Sequence, residues 1–295
     1  MGARALTDDR VGAHSRDPND RHYLLGHTDA ELRRLDVQGD LYRDITRRAF
    51  ERGGVEAGMR VLDIGCGTGD VSLTAASLVG RHGHVTGIDR GPDAVAAARA
   101  NARALDVTWA DFEESEITDF HARAPFDALI GRFVLMHQRE PARALGHAVR
   151  AVRGSGVVVM VESYMELLRR GAHSEPHSPL YDDVVRFKCA VVEGAGADLH
   201  AGGRLRTTFL EAELPNPICQ LETRVEGGPD SPYYEYVAQS VRSMLPEARR
   251  LGISDFTEAE VNDLADRLRA EVVRLRGSLL VWPVVTAHSR VERTG

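Results

Sequence analysis

Val61-Leu62-Asp63-Ile64-Gly65-Cys66-Gly67-Thr68-Gly69-Asp70, followed by Gly83-His84-Val85-Thr86-Gly87-Ile88-Asp89, decides the fold. An apolar run ends in a carboxylate and a glycine-dense turn. A second apolar run then closes on another carboxylate. Glycine lets the backbone take positive φ and leaves room for a ligand against the main chain. A carboxylate ending the next strand, about twenty residues on, is placed to accept hydrogen bonds from a ribose. The front half of the chain therefore reads as the binding site of a nucleoside-containing cofactor.

The remaining composition narrows the class. A chain of 295 residues suffices for one large α/β domain with additions, or for two small ones. A hydrophobic content of 43% permits a substantial core. The net charge of -7 argues against a general nucleic-acid binder, which would carry a basic stripe. Cys66, Cys189 and Cys219 are far apart and odd in number, so neither a disulfide framework nor a zinc site is expected. No run reaches the ~18 apolar residues of a membrane span, and no signal-peptide core is evident. A cytoplasmic protein with no membrane or nucleic-acid partner is the expectation. Lys188 is the only lysine, and arginine supplies every other basic side chain apart from histidine.

Periodicity organises the rest. Residues 29–52 carry Leu32, Leu35, Leu41, Ile45 and Phe50 at mostly helical spacing, with Thr28 as N-cap. From Gly58 strands and helices alternate. Strands are expected at 60–64, 84–89, 106–110, 126–130 and 157–161, with helices over 69–80, 92–104 and 140–153. Helices follow at 180–196 and 204–212, then strands at about 218–225 and 279–287 around a helical insertion at 232–275. Short apolar runs between helices read as buried parallel strands covered on both faces.

The glycine spacing selects the cofactor. The nicotinamide fingerprint is G-x-G-x-x-G, with a pyrophosphate on a helix N-terminus. Here it is G-x-G-x-G, which resembles motif I of the class I S-adenosyl-L-methionine (SAM) methyltransferases. The stretches Tyr23–Thr28, Asp63–Arg90, Gly131–Met136 and Gly227–Pro232 are together similar to actinobacterial small-molecule, natural-product methyltransferases. The resemblance covers roughly residues 20–288. It implies a Rossmann-like, doubly wound seven-stranded sheet with a reversed final strand, N-terminal helices and a helical insertion before the last strand. It also implies an organisation of 1–20 as a flexible tail and 21–57 as a helical lid. The SAM-binding core would be 58–165, and the substrate side 166–295. A monomer or homodimer is expected.

In open parallel sheets, ligands lie outside the carboxyl ends of the strands. Cofactor contacts are therefore expected from Asp63, Gly65, Cys66, Gly67 and Gly69, and from Asp89 with Arg90. The resemblance adds Asp111 toward the adenine amino group and Phe112 against its ring, with core packing or a solvated loop as the plainer readings. Arg132, just past the fourth strand, reads as a pocket contact or an ion pair. His137 reads as a contact to the methyl donor or as a general base. Glu162 follows five apolar residues and is expected to emerge over the pocket as base or substrate contact, or to pair with an arginine. Tyr23, in the lid segment, is a third base candidate and a cofactor contact, and His27 a substrate contact. Tyr164, His177, Tyr181 and Tyr233 complete the substrate-side candidates, each with core or surface placement as its alternative. No His/Cys/Asp cluster has metal spacing, so no metal is expected.

The reaction so implied is methyl transfer to a small-molecule acceptor, aromatic or heterocyclic, on carbon (an indole-type carbon included), nitrogen or oxygen, releasing S-adenosyl-L-homocysteine (SAH). Three rivals stand beside it. One is a SAM-binding enzyme of the same fold that catalyses a rearrangement or cyclisation. The others are a nicotinamide oxidoreductase and a catalytically silent binding module.

Overall fold

A computed structural model of the protein describes residues 29–171 and 173–292, with side chains from Leu41 onward. The described residues open with one long helix, α1 (Asp29–Gly53), and enter the sheet at β1 (Arg60–Ile64). It continues through α2 (Asp70–Val79), β2 (His84–Asp89), α3 (Pro92–Ala104), β3 (Ala110–Glu114) and β4 (Phe126–Arg132). A single 3-10 turn, Leu135–His137, leads to α4 (Pro141–Val149) and β5 (Val152–Ser163). Next come α5 (Met165–Arg170), β6 (Ser174–Glu175), α6 (Pro179–Gly194) and α7 (Ala201–Glu211). Strands β7 (Ile218–Glu222) and β8 (Val225–Gly227) precede α8 (Tyr233–Leu251), α9 (Glu258–Asn262) and α10 (Leu264–Leu275). Strands β9 (Ser278–Leu280) and β10 (Val284–Arg290) end the fold.

The main sheet has seven strands in the order β3-β2-β1-β4-β5-β10-β7, and β10 alone is reversed. Order reverses between β1 and β4, where the glycine turn lies. The central strands β1, β4 and β5 bury both faces over their apolar runs, whereas the edge strands β3 and β7 are largely exposed. Along β5, Val157, Val159 and Val161 join the core under α1, α2 and α6, while Val158 and Met160 join the core under α4 and α7. Helix ends follow local chemistry. Ser178 caps α6 by accepting from the Tyr181 amide at 3.2 Å, with Pro179 in the first turn. Thr257 and Glu260 form a capping box on α9.

Several boundaries correct the sequence expectation. The third strand runs Ala110–Glu114 rather than 106–110. Asp106 takes φ 53 to close α3, and Trp109 is held back by its Nε1 donating to the Ala76 carbonyl at 2.9 Å. The helix expected to 153 stops at Val149, because Val152 already pairs with Phe126. Ser155, at φ 67, then interrupts the ladder before Val157 pairs with Ala128. The last two expected strands each split. Pro283 has no N–H for a ladder, so β9 joins β6 and β8 in a separate three-stranded sheet while β10 joins the main one. Among the described residues, no helix is long and apolar enough to cross a membrane.

Candidate functional site

The carboxyl edge of β1 and β2 carries the first half of the site. Gly65 sits at φ 62, and a Cβ there would lie 2.6 Å from Val134 Cγ2, so only glycine lets the turn pass under the β4 loop. Gly67, at φ 52, faces open space instead. The Cys66 amide donates to the Ile88 carbonyl at 2.9 Å and pins the turn to β2. Asp89 fastens it further. Its Oδ2 accepts from the Gly67 amide at 2.9 Å, and its Oδ1 from the Gly91 amide at 2.8 Å. A carboxylate has about four acceptor positions, so two remain for hydroxyl donors on a ligand. Arg90 is exposed at the rim.

Asp63 lies fully buried beneath the turn. Ser72 Oγ donates to its Oδ2 at 2.6 Å, while Oδ1 has no partner among the described residues. Burial pushes its pKa up to about 7, against the pull of Ser72 and Arg132. An orphaned carboxylate oxygen calls for a cation or a donor. The ammonium of SAM would meet that need and its ribose hydroxyls the two remaining positions of Asp89, so these residues fit the group that the sequence implied. Cys66 is packed in with its thiol on the Gly67 carbonyl at 3.7 Å. Burial and the carboxylates of Asp63 and Asp89 push that thiol up, so it is not a nucleophile.

The four-residue shift of β3 relocates two expected contacts. Asp111 sits mid-strand, opposite Thr86, with its side chain 77% exposed and 3.3 Å from His84 Nε2. It faces away from the side on which Gly87 meets Cys66 and Ser72. Phe112 is core: it fills the space against Gly69 and Gly87, and its carbonyl accepts from Arg99 Nη2 at 2.6 Å. The residue in register with Asp89 is Glu114, which sequence reading passed over. The pair Glu113-Glu114 after Phe112 was the available signal.

Beyond β4 the chemistry is structural. Arg132 Nη2 donates to Asp70 Oδ2 at 2.6 Å and its Nη1 to Thr46 Oγ1 at 3.0 Å, tying β4 to α2 and α1. Its guanidinium is spent on that pair. Glu162 is fully buried rather than emerging over the pocket, and it pairs with no arginine among the described residues. Its Oε1 accepts from the amides of Val134 at 2.9 Å and Leu135 at 2.7 Å, its Oε2 from Met136 at 3.3 Å. Burial still pushes its pKa up to about 7. Enclosed by backbone and fully buried, Glu162 holds the turn that ends in half-buried His137.

The substrate-side candidates disperse. Tyr164 packs into the notch at Gly202 and Gly203 of α7. His177 is 64% exposed and 3.2 Å from Asp182. Tyr181 and Tyr233 are fully buried, their hydroxyls 2.5 Å apart, and Tyr181 also donates to the Leu280 carbonyl at 2.7 Å. Both phenols are pinned in the core rather than turned to a ligand. Tyr23 and His27 lie outside the described residues.

A family model described as a methyltransferase domain matches residues 55–223, more than half of the chain. The ubiquinone biosynthesis O-methyltransferase of Alkalilimnicola ehrlichii is 31% identical over 139 residues, 41% of this chain and 54% of that protein. The ubiquinone/menaquinone biosynthesis C-methyltransferase UbiE of Vibrio cholerae is 28% identical over 152 residues, 50% of this chain and 55% of that protein. The chain spans little more than half the length of these curated relatives. The YcgJ protein of Bacillus subtilis shares the fold with a TM-score of 0.53, at 15% identity, covering 83% of this chain and 97% of that one.

Glu162→Gln puts an NH2 group against a ring of backbone donors. Urea denaturation should show a loss of about 1–3 kcal/mol. Amide exchange at Val134–Met136 should speed up before global unfolding; unchanged protection there would refute the holding role. The two raised carboxylates also set a pH dependence. Folded Asp63 and Glu162 keep protons that the unfolded chain releases above about pH 4–4.5, so their contribution is full below that and is lost as pH rises through about 7. The ligand-free protein should therefore melt at lower temperature at pH 8 than at pH 5.5, with a shallower slope in Asp63→Asn.

Proposed function

The chain belongs to the family of methyltransferase domains, and from that premise we propose that it moves a methyl group from SAM to a small aromatic or heteroaromatic acceptor, as in natural-product biosynthesis. The fold is the class I methyltransferase fold, and SAM is its cofactor. One observation carries the site assignment: Asp89 joins the Gly67 and Gly91 amides directly over a buried Asp63 whose Oδ1 lacks a partner. Bound there, SAM supplies a methyl group already activated by its sulfonium charge, leaving SAH as product.

The chain's own residues have limited work to do. Asp89 would receive the ribose hydroxyls, and Asp63 would neutralise the ammonium. The open space beside Gly67 would leave room for the cofactor against the main chain. The carboxyl edge then aligns the acceptor and keeps water out. Alignment of this kind is worth ~7–11 kcal/mol. Where the acceptor must lose a proton, the candidate base is His137, at the end of the turn that Glu162 holds. A neutral imidazole there would add about 10²–10⁴-fold. The relatives named for ubiquinone biosynthesis make ring-bearing acceptors a reasonable class for this chain.

Incubation with methyl-labelled SAM and small-molecule extracts tests the reading, with labelled product and SAH expected together. SAH without a labelled partner, or product without SAH, would sink it. Asp89→Ala should weaken SAM about 10–100-fold by calorimetry, the worth of hydrogen bonds to a charged group; unchanged affinity removes the ribose assignment. His137→Asn should lower kcat by about 10²-fold or more while KM for SAM holds. An unaltered kcat would leave alignment as the whole of catalysis.

A further inference from the structure

Helix α3 is fastened to the cofactor side at more than its first turn. Its N-cap, Gly91, gives its amide to Asp89. Further along, fully buried Ala98 lies 3.1 Å from the place that a Cβ on Gly69 would take. Three positions on, and so on the same face, is Asn101. Its Nδ2 donates to the Thr68 carbonyl at 3.0 Å, across 33 positions of chain. Thr68 is buried, between the last two glycines of the turn. The same peptide unit is held at its other end, where the Gly69 amide donates to the Cys66 carbonyl at 2.9 Å. A peptide plane gripped at both its C=O and its N–H cannot rotate without breaking two hydrogen bonds. Rotation is otherwise easy here. Gly67 and Gly69 flank Thr68 at φ 52 and φ 89, and α2 starts from Gly69 with no side-chain cap. A buried carbonyl left without a donor is costly, so Asn101 supplies what the turn cannot make from its own residues.

The floor of the turn is braced from the same helix. Two positions before Asn101, Arg99 donates from Nε and Nη2 to the Phe112 carbonyl, at 3.2 and 2.6 Å. That carbonyl belongs to β3, the outermost strand on this side of the sheet. The Phe112 ring comes within 3.2 Å of a Cβ placed on Gly69 and within 2.8 Å of one placed on Gly87. The edge strand thus carries its ring beneath the turn, and Arg99 keeps that edge in place. Helix α3 meets the turn through Asp89, through Ala98 and Asn101, and through the strand that Arg99 holds.

We propose that Asn101 is a positioning residue for the cofactor: from α3 it holds the Thr68–Gly69 peptide, and so keeps the glycine turn in its binding geometry before SAM arrives. Arg99 braces the strand beneath. The inference rests on the assignment of the cofactor to the glycine turn. Asn101 acts through the main chain rather than on the ligand, and its effect is one of population. A turn with a single conformation binds at its intrinsic affinity. A turn that spends only a fraction of its time in that conformation binds more weakly by the same fraction. Asparagine suits the task because its short, planar amide offers a donor that reaches a neighbouring carbonyl without a long stem to immobilise.

Calorimetry with SAH on the full chain tests this, well below the melting midpoint of each variant, so that only folded protein is titrated. Asn101→Leu keeps the bulk and removes the donor. SAH should bind it about 10-fold more weakly, as an unpaired buried carbonyl and a divided turn population imply. Asn101→Gln, which carries the same amide on a longer stem, should recover part of that loss. Arg103 is on the outer side of the same helix, in a groove with Asp106 and Val107, and Arg103→Met should bind SAH as the wild type does. An asparagine that merely stabilised the fold would lower the melting midpoint and leave the dissociation constant of folded protein alone. A constant within about 2-fold of wild type in Asn101→Leu therefore overturns the proposal, as does equal weakening in Arg103→Met. Should Asn101→Leu fail to fold, NMR of the wild-type chain without SAH answers instead. The Asn101 side-chain amide should exchange with solvent several-fold more slowly than that of exposed Asn216. Exchange as fast as that of Asn216 before SAH is added overturns the proposal. Failure of the wild type to bind SAH defeats the cofactor assignment; SAH binding indifferent to Asn101 defeats this inference alone.

Discussion

Everything on the cofactor side depends on one carboxylate that fastens two loops. Asp89 accepts from the Gly67 amide on one side and the Gly91 amide on the other. Each loop alone would be a flexible turn with unsatisfied N–H groups. Joined through a charge, they acquire a common geometry, because both amides must converge on oxygens about 2.2 Å apart within a rigid planar group. The glycines are the other half of this arrangement. Gly65 lets the turn slide past Val134, and Gly67 leaves its outer side clear. Charge sets where the loops meet, and the absence of side chains sets how closely something else can approach them.

Two further carboxylates show how burial divides structural from binding duty. Glu162 and Asp63 both end apolar strands, both are fully buried, and burial pushes both up to about 7. Their surroundings separate them. Glu162 is enclosed by three backbone amides, which take three of its about four acceptor positions for the turn it holds. Asp63 has one hydroxyl partner and one idle oxygen. The first needs nothing more from outside the chain, and the second does.

The parts of this arrangement that a reader of the sequence recovers are those written in consecutive residues. Asp63, the glycines and Asp89 follow from strand, turn and strand in order, and the seven-stranded core follows from the family pattern they carry. What stays hidden depends on which way a side chain faces. A four-residue offset in the third strand set Asp111 at the expected strand end, where the structure has Glu114 beside Asp89, because apolar Val107 and Trp109 look like strand but belong to the turn that Asp106 closes. Glu162 looked like an open base since nothing local shows that the amides of Val134–Met136 would close around it. Tyr181 and Tyr233 looked available, yet their hydroxyls find each other across 52 positions of chain. Arg132 likewise meets Asp70 only through the fold.

The small sheet formed by β6, β9 and β8 has an evolutionary corollary. Gly227 and Ser278 face each other in its ladder, so the segment carrying α8, α9 and α10 leaves and re-enters the body at neighbouring points. It is a cassette with a clasped neck. Lengthening such a looped-out unit costs little chain entropy, roughly 0.6 kcal/mol per doubling. Its replacement requires re-matching the seams that α8 makes with α1 and α6, that α10 makes with α6 and β8, and that Phe256 makes with Phe187, while the register of the main sheet stays put. Chains sharing this scaffold can therefore vary the cassette without renegotiating the register of the main sheet.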